Sequence, residues 1–252
     1  MGQIDKAVDI GDLGQRNLWI IYGKSGSGKT EVLSTFPKPL LYLQIGDDGS
    51  NTIKGKEGIK AIKVKDLAQL KEILIEARTN KAYATVALDM FSMVVNEWID
   101  ANAVQKKKRM TQQMWGDIKT DTDELTKLTH ILSETKIVVL TCHEVSDSFE
   151  GMEDEIAPDI RPNVGKGSRT YLEGMANYGI HTTIIMKDKE QPDGSTQQEP
   201  VYAAHLGANP FYWVKTQKPS EIKLPKIVLN PTYSKIMRLL SGETKVKKTK
   251  PQ

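Results

Sequence analysis

Residues 23–30 read Gly-Lys-Ser-Gly-Ser-Gly-Lys-Thr, the full GxxxxGK[ST] pattern. They stand between an apolar run at 17–23 (NLWIIYG) and a segment of helical spacing, EVLSTF, that stops before Pro37. No other feature of the chain restricts its fold as much. A strand must deliver a glycine-rich turn whose N–H groups close around an anion, and the helix behind must point its positive end at the same place. Gly23, Lys24, Ser25, Gly26, Ser27 and Gly28 form the turn, Lys29 reaches the β- and γ-phosphates, and the Thr30 hydroxyl holds Mg²⁺. A flexible Gly/Ser loop, the alternative, explains neither the strand before it nor the helix after it. The expected ligand is a nucleoside triphosphate, ATP with Mg²⁺.

The remaining pattern alternates. Residues 40–45 (LLYLQI) predict a second buried strand closed by the turn GDDGSN, and 59–64 a short third. Leu67, Leu70, Ile73, Leu74 and Ala77 share one face of a helix over 66–79, with Asp66 as its N-cap. A strand at 85–89 (TVALD), a helix over 90–104, an amphipathic helix over 117–134 and a buried strand at 136–142 (KIVVLTC) follow. The stretch 146–170 reads as a long irregular segment. Strands at 179–186 and 201–206, joined by QPDGSTQ, precede a final helix over 230–240 with Asn230 as cap and Pro231 in its first turn. The prediction is an α/β fold, a mostly parallel sheet flanked by helices, with antiparallel strands added at the C-terminal side. One domain over 17–240 is expected, with an extension at 1–16 and a basic, disordered tail at 241–252.

Strand ends place further chemistry at the phosphates. Asp89 closes an apolar strand, where a carboxylate organises Mg²⁺; capping the following helix is its plainer role. Asp47 and Asp48 follow the second strand, where either carboxylate can polarise an attacking water, or both can serve the turn. His143 and Glu144 end the 136–142 strand, and His143 can sense the γ-phosphate or donate to it. A polar pair facing solvent is the alternative.

Charge sets limits on partners. Lys and Arg number 35 against 32 Asp and Glu. Four lysines and one glutamate in 243–252 account for the whole excess, so the preceding body is neutral and any nucleic-acid affinity must be local. The single cysteine, Cys142, excludes an internal disulfide framework and a cysteine-based zinc site, and reads as a small buried hydrophobe. No apolar run approaches membrane-spanning length, and the N-terminus lacks a signal-peptide core. A cytoplasmic location is expected.

The order of features, with GKSGSGKT, LYLQIGDDG, TVALD, VVLTCHE and PNVGKGSR in sequence, resembles RecA-like P-loop ATPases. It is most similar to the compact phage-encoded nucleotide-binding proteins, some of which are single-strand annealing recombinases. That family often carries a glutamate where this chain has Asp47 and Asp48. The resemblance implies ATP binding and hydrolysis, binding of single-stranded DNA, recombination or strand annealing, and assembly into a filament or ring. It also implies a single-strand binding protein as partner and the host cytoplasm as location. Relatives bind DNA through two mobile loops. The matching places here hold Lys106, Lys107, Lys108 and Arg109 with Trp115 behind them, and Arg161, Lys166 and Arg169. Lys215 and Lys218 match lysines that reach a neighbouring subunit's phosphates. A solvated helix face remains the alternative for the basic run. A P-loop kinase of a small acceptor, or a small helicase- or packaging-type motor, remains the alternative for the whole.

Overall fold

The first strand, β1 (Asn17–Tyr22), is apolar and buried from Leu18 onward because both of its faces are covered. Leu18, Ile20 and Tyr22 enter one core and Trp19 and Ile21 the other. The structure, a computed structural model, describes residues 14–46, 49–99, 110–147, 159–190 and 195–243. After β1 come α1 (Lys29–Leu33), β2 (Leu40–Gln44), β3 (Ile59–Lys63), α2 (Leu67–Thr79), β4 (Thr85–Asp89), α3 (Val94–Ile99) and α4 (Gln112–Leu132). Then follow β5 (Ile137–Cys142), β6 (Glu144–Asp147), β7 (Asp159–Pro162), α5 (Lys166–Met175), β8 (Tyr178–Glu190), β9 (Thr196–His205), β10 (Ile227–Leu229) and α6 (Tyr233–Leu240).

Eight strands form one sheet in the order β10-β9-β8-β1-β5-β4-β2-β3, parallel from β3 to β8 and antiparallel through β9 and β10. The expected α/β architecture, with its antiparallel C-terminal addition, is present. Apolar faces of α2, α4 and α5 cover one side through Leu70, Leu74, Leu125 and Leu172. On the other side α1 and α6 contribute Val32, Leu33, Ile236 and Leu240. There the Trp19 indole stacks on Tyr178 at 4.1 Å and meets the edge of Phe36 at 5.3 Å. Burying one ring of Phe36's size stabilises the fold by about 1.5–3 kcal/mol.

Local chemistry explains most boundaries. Asp66 caps α2 by accepting from Gln69 N–H at 2.8 Å. At α6 the expectation is corrected: Thr232 is the cap, accepting from Lys235 N–H at 3.3 Å, while Asn230 sits at φ 43° in the turn before it. The expected helix over 90–104 is a 3₁₀ turn, Phe91–Met93, followed by α3; residues 100–104 lie outside the described residues.

The expected irregular stretch over 146–170 is also corrected. β6 and β7 form a hairpin, and α5 begins at Lys166. Its stem is tied to the sheet, since the Tyr22 hydroxyl lies 3.0 Å from Ile160 C=O and 2.7 Å from Trp213 C=O. Residues 148–158 between the strands lie outside the described residues.

Candidate phosphate and divalent-cation site

Parallel strands bring their C-terminal ends to one edge of the sheet, and the glycine-rich turn sits there directly after β1. Lys29 is 4% exposed, and its ammonium donates to Gly23 C=O at 3.0 Å and Lys24 C=O at 2.8 Å. The turn is clamped from the β8 side. Thr182 donates its hydroxyl hydrogen to Tyr22 C=O at 3.2 Å and contacts Ser27 Oγ at 2.8 Å. Gly28 precedes α1 at φ 89°, a conformation that side chains resist, and the Tyr202 ring lies where its Cβ would be.

β5 stands between β1 and β4, so Asp89 reaches the loop across an intervening strand. Its carboxylate is 4% exposed and accepts three hydroxyl hydrogen bonds. Thr30 donates to Oδ2 at 2.9 Å, Tyr42 donates to Oδ2 at 2.7 Å, and Thr141 on β5 donates to Oδ1. The 3₁₀ turn after β4 is capped at Met90 without a side-chain bond, so Asp89 does not serve as the helix cap. The residues fit a hard divalent cation, which favours oxygen donors and retains several waters and phosphate oxygens. Of the oxygens gathered here, the Thr30 hydroxyl and the Asp89 carboxylate lie on the loop side. A Cβ on Gly49 would lie 3.2 Å from both Asp89 Oδ2 and Thr30 Oγ1, so glycine keeps that space open. Among the described residues no cluster of three or more His, Cys, Asp or Glu side chains offers a rival all-protein metal site.

A cavity of about 410 Å³ opens on the loop, bounded by Ser25, Gly28, Thr30, Asn51, Met90 and Tyr202. A second, of about 310 Å³, adjoins it on the β8 side beside Lys24, Ser27, His181 and Tyr212. A third depression, of about 690 Å³, lies at the far end of β1 around Arg16, His130 and Lys215. Its charges are engaged locally: Arg16 pairs with Glu134 at 2.6 Å, and Lys215 Nζ donates to Glu173 C=O and Gly174 C=O.

The other predicted residues fall into distinct places. Asp47, Asp48, Lys106, Lys107, Lys108 and Arg109 lie outside the described residues. His143 follows β5, its N–H donating to Ser92 Oγ at 3.0 Å and its C=O accepting from Asn163 N–H at 2.8 Å. Trp115, in the first turn of α4, is 51% exposed. Lys166 is exposed at the start of α5, and Lys218 is half-buried in the loop after β9, its ammonium donating to Pro219 C=O at 3.2 Å. Two expectations need correction. Arg169 is only 6% exposed inside α5, so it offers no surface to DNA. Arg161 pairs with Asp159 at 2.5 Å and Glu173 at 2.8 Å, so its guanidinium is committed within the fold.

Sequence reasoning missed several groups. Tyr42 and Thr141 orient Asp89, yet each is one hydroxyl in an otherwise apolar strand. Glu144, placed at a strand end by the sequence, finds an unforeseen partner in His181 at 2.7 Å. The Tyr212 ring stacks on His181 at 4.0 Å and on His205 at 4.4 Å, the two imidazoles lying 5.4 Å apart. Burial pushes His181 below the usual imidazole range, opposed by Glu144, and burial aided by His181 pulls His205 down to about 4. Both rings are therefore neutral in the fold at neutral pH. The unfolded chain takes up protons below its ordinary value of 6.5, and the fold resists until about 4. Stability is thus full above that ordinary value and declines as pH falls towards the folded one. Urea midpoints should drop between about pH 7.5 and about pH 5, and His205→Gln should flatten the drop. An unchanged slope in the variant would remove His205 from the account. Burial pushes the Cys142 thiol up to about 12, which makes it an inert core residue.

Among the described residues no helix is long and apolar enough to cross a membrane. No curated protein matches the sequence. The family model described as an AAA domain matches residues 16–209, a span that contains the phosphate loop, Asp89 and all of the sheet except β10. Most of the chain is therefore accounted for by one family, and the protein belongs to the AAA-domain family of P-loop nucleotide-binding proteins.

Proposed function

We propose that the chain binds and hydrolyses ATP and uses that cycle to bind single-stranded DNA, in strand annealing or homologous recombination, as an oligomer in filament or ring form. The observation that carries the ATPase part is the contact of Thr30 with Asp89 beside the buried Lys29. Lys29 holds the β- and γ-phosphates, and Thr30 with Asp89 would hold Mg²⁺, which neutralises phosphate charge when bound. Asp47, Asp48 and His143 remain the candidates for handling the attacking water and the γ-phosphate.

DNA binding is supported by the exposed Trp115, which the chain presents just after the basic run 106–109. A kinase of a small acceptor receives less support. Such enzymes use arginines over the phosphates, whereas Arg161 is paired and Arg169 is buried. Binding of a labelled oligonucleotide across a salt series, with and without ATP, tests the proposal. Neutralising Lys106, Lys107, Lys108 and Arg109 together should remove up to about four contacts, each contributing ~0.7 to the slope of log affinity against log salt. Trp115→Ala should weaken binding about ten- to a hundredfold with the slope unchanged, because stacking is nearly indifferent to salt. Its exposure means that the thermal melt should not move. Wild-type affinity in both variants at every salt concentration would exclude this segment as the DNA site.

A further inference from the structure

β8 and β9 run past the core as a two-stranded ribbon. Opposed residues of an antiparallel pair share a face, so Thr182 with Ala204, Ile184 with Tyr202 and Met186 with Pro200 line one side. That side faces the phosphate loop. Thr182 contacts Ser27, and the Tyr202 ring lies 2.8 Å from the position of a Cβ on Gly28. Ile184, Met186 and Tyr202 are nevertheless 47%, 55% and 45% exposed, three large apolar side chains side by side next to a polar cradle.

Tyr202 also lines the phosphate cavity itself, together with Ser25, Gly28 and Thr30. Its backbone is fixed, since Tyr202 C=O accepts from Asn230 N–H at 2.7 Å. A triphosphate anchored at the loop must send its sugar and base outward, and an exposed ring continuous with that cavity presents a π-face to them. We infer that Tyr202 is the platform on which the nucleobase of the bound nucleotide stacks, with Ile184 and Met186 extending the apolar shelf. Of the neighbours of Tyr202 on this face, Ile184, Met186, Pro200 and Ala204 carry no strong hydrogen-bonding group, and the hydroxyl of the buried Thr182 is taken up by Tyr22 C=O and Ser27. The shelf therefore senses the ring surface and not its edge. This inference rests on the proposal that the loop binds a nucleoside triphosphate.

Equilibrium binding of ATP, GTP and inorganic tripolyphosphate to the wild type, Tyr202→Ala, Tyr202→Leu and Tyr202→Phe separates the possibilities. Loss of the ring in the Ala or Leu variant should weaken ATP and GTP by about ten- to a hundredfold, by the same factor for each. Tripolyphosphate, which has no base, should bind all variants within about threefold, as should ATP to Tyr202→Phe. The Leu variant keeps apolar bulk, and the retained tripolyphosphate affinity reports an intact loop in either variant. If Tyr202→Ala and Tyr202→Leu bind ATP as the wild type does, or lose tripolyphosphate as strongly as ATP, the platform is overturned while the phosphate loop stands. If the wild type binds neither ATP nor tripolyphosphate, the nucleotide proposal falls and the platform falls with it.

Discussion

Lys29→Ala is expected to abolish nucleotide binding, a loss of at least about a hundredfold in affinity, while leaving the fold in place. The ammonium is buried beneath the loop, where a charge-assisted bond to a phosphate is stronger than in water. Removing a comparable donor from a preorganised anion site costs about 2.7–4 kcal/mol, which is about two to three orders of magnitude. Of the two loop carbonyls that lose Lys29 as a donor, that of Lys24 belongs to an exposed residue and regains water, whereas that of Gly23 is buried. Stability in a thermal melt should therefore fall by no more than the loss of one buried hydrogen bond, about 1–3 kcal/mol. Titration with a fluorescent ATP analogue gives the affinity. Binding within about threefold of wild type would reject Lys29 as the phosphate lysine, because the expected loss exceeds that margin many times over.

Asp89→Asn should separate binding from turnover. Asparagine keeps the shape and one acceptor oxygen, and the hydroxyls of Thr30, Tyr42 and Thr141 can rotate to suit its amide. What disappears is the negative charge that would hold the divalent cation beside Thr30. Turnover should fall by about 10²–10³, the scale seen when one electrostatic group is removed from a preorganised site. Affinity for ATP measured with EDTA present should change little. Steady-state hydrolysis with Mg²⁺, set against that binding measurement, distinguishes the two effects. Wild-type turnover in the variant would leave Asp89 a purely structural acceptor.

The parallel core was legible because its strands are buried on both faces. β1, β2, β4 and β5 read as short continuous apolar runs, and each ends where its chemistry begins, at Gly23, near Asp47, at Asp89 and at His143. Helix α2 announced itself by spacing and by Asp66. The β6–β7 hairpin did not, because Pro162 lies in one strand and the stem owes its place to distant partners, Tyr22 and His181. Helix α5 carries Gly167, Ser168 and Gly174, weak helix formers, and its buried Leu172 joins the core shared with α4. Asn230-Pro231 looks like a cap followed by a first turn, yet Thr232 one step later makes the bond. Within the site, the loop and Asp89 stand out by residue type. Tyr42 and Thr141 matter only once β2, β4 and β5 are neighbours, and that order is set by long-range pairing. Glu144 and His181 meet across 37 residues of sequence, which no local pattern records.

The sheet outgrows its own core along β8. Tyr178 to Thr182 are buried, whereas Lys187 to Glu190 are exposed, and all lie on one continuous strand. β1 accompanies β8 only to His181, and β10 accompanies β9 only to Ala203. Beyond those points neither has another strand beside it among the described residues, although Tyr202 C=O still accepts from Asn230 N–H. Both outer edges of the ribbon there present backbone groups that another chain could pair with. Lys187, Asp188, Lys189, Glu190 and Glu199 stud this region with charge, and Lys189 bridges to Glu199 at 2.9 Å. Those charges discourage strand addition without burying anything. The free energy needed to open the backbone must then decline within a single strand, from that of global unfolding near Ile180 to little near Lys189. Tyr202 and Ile184 sit on the middle of that gradient, two residues beyond the buried Thr182–Ala204 pair, where the Asn230 bond to Tyr202 C=O still ties the ribbon to the sheet that carries the phosphate loop.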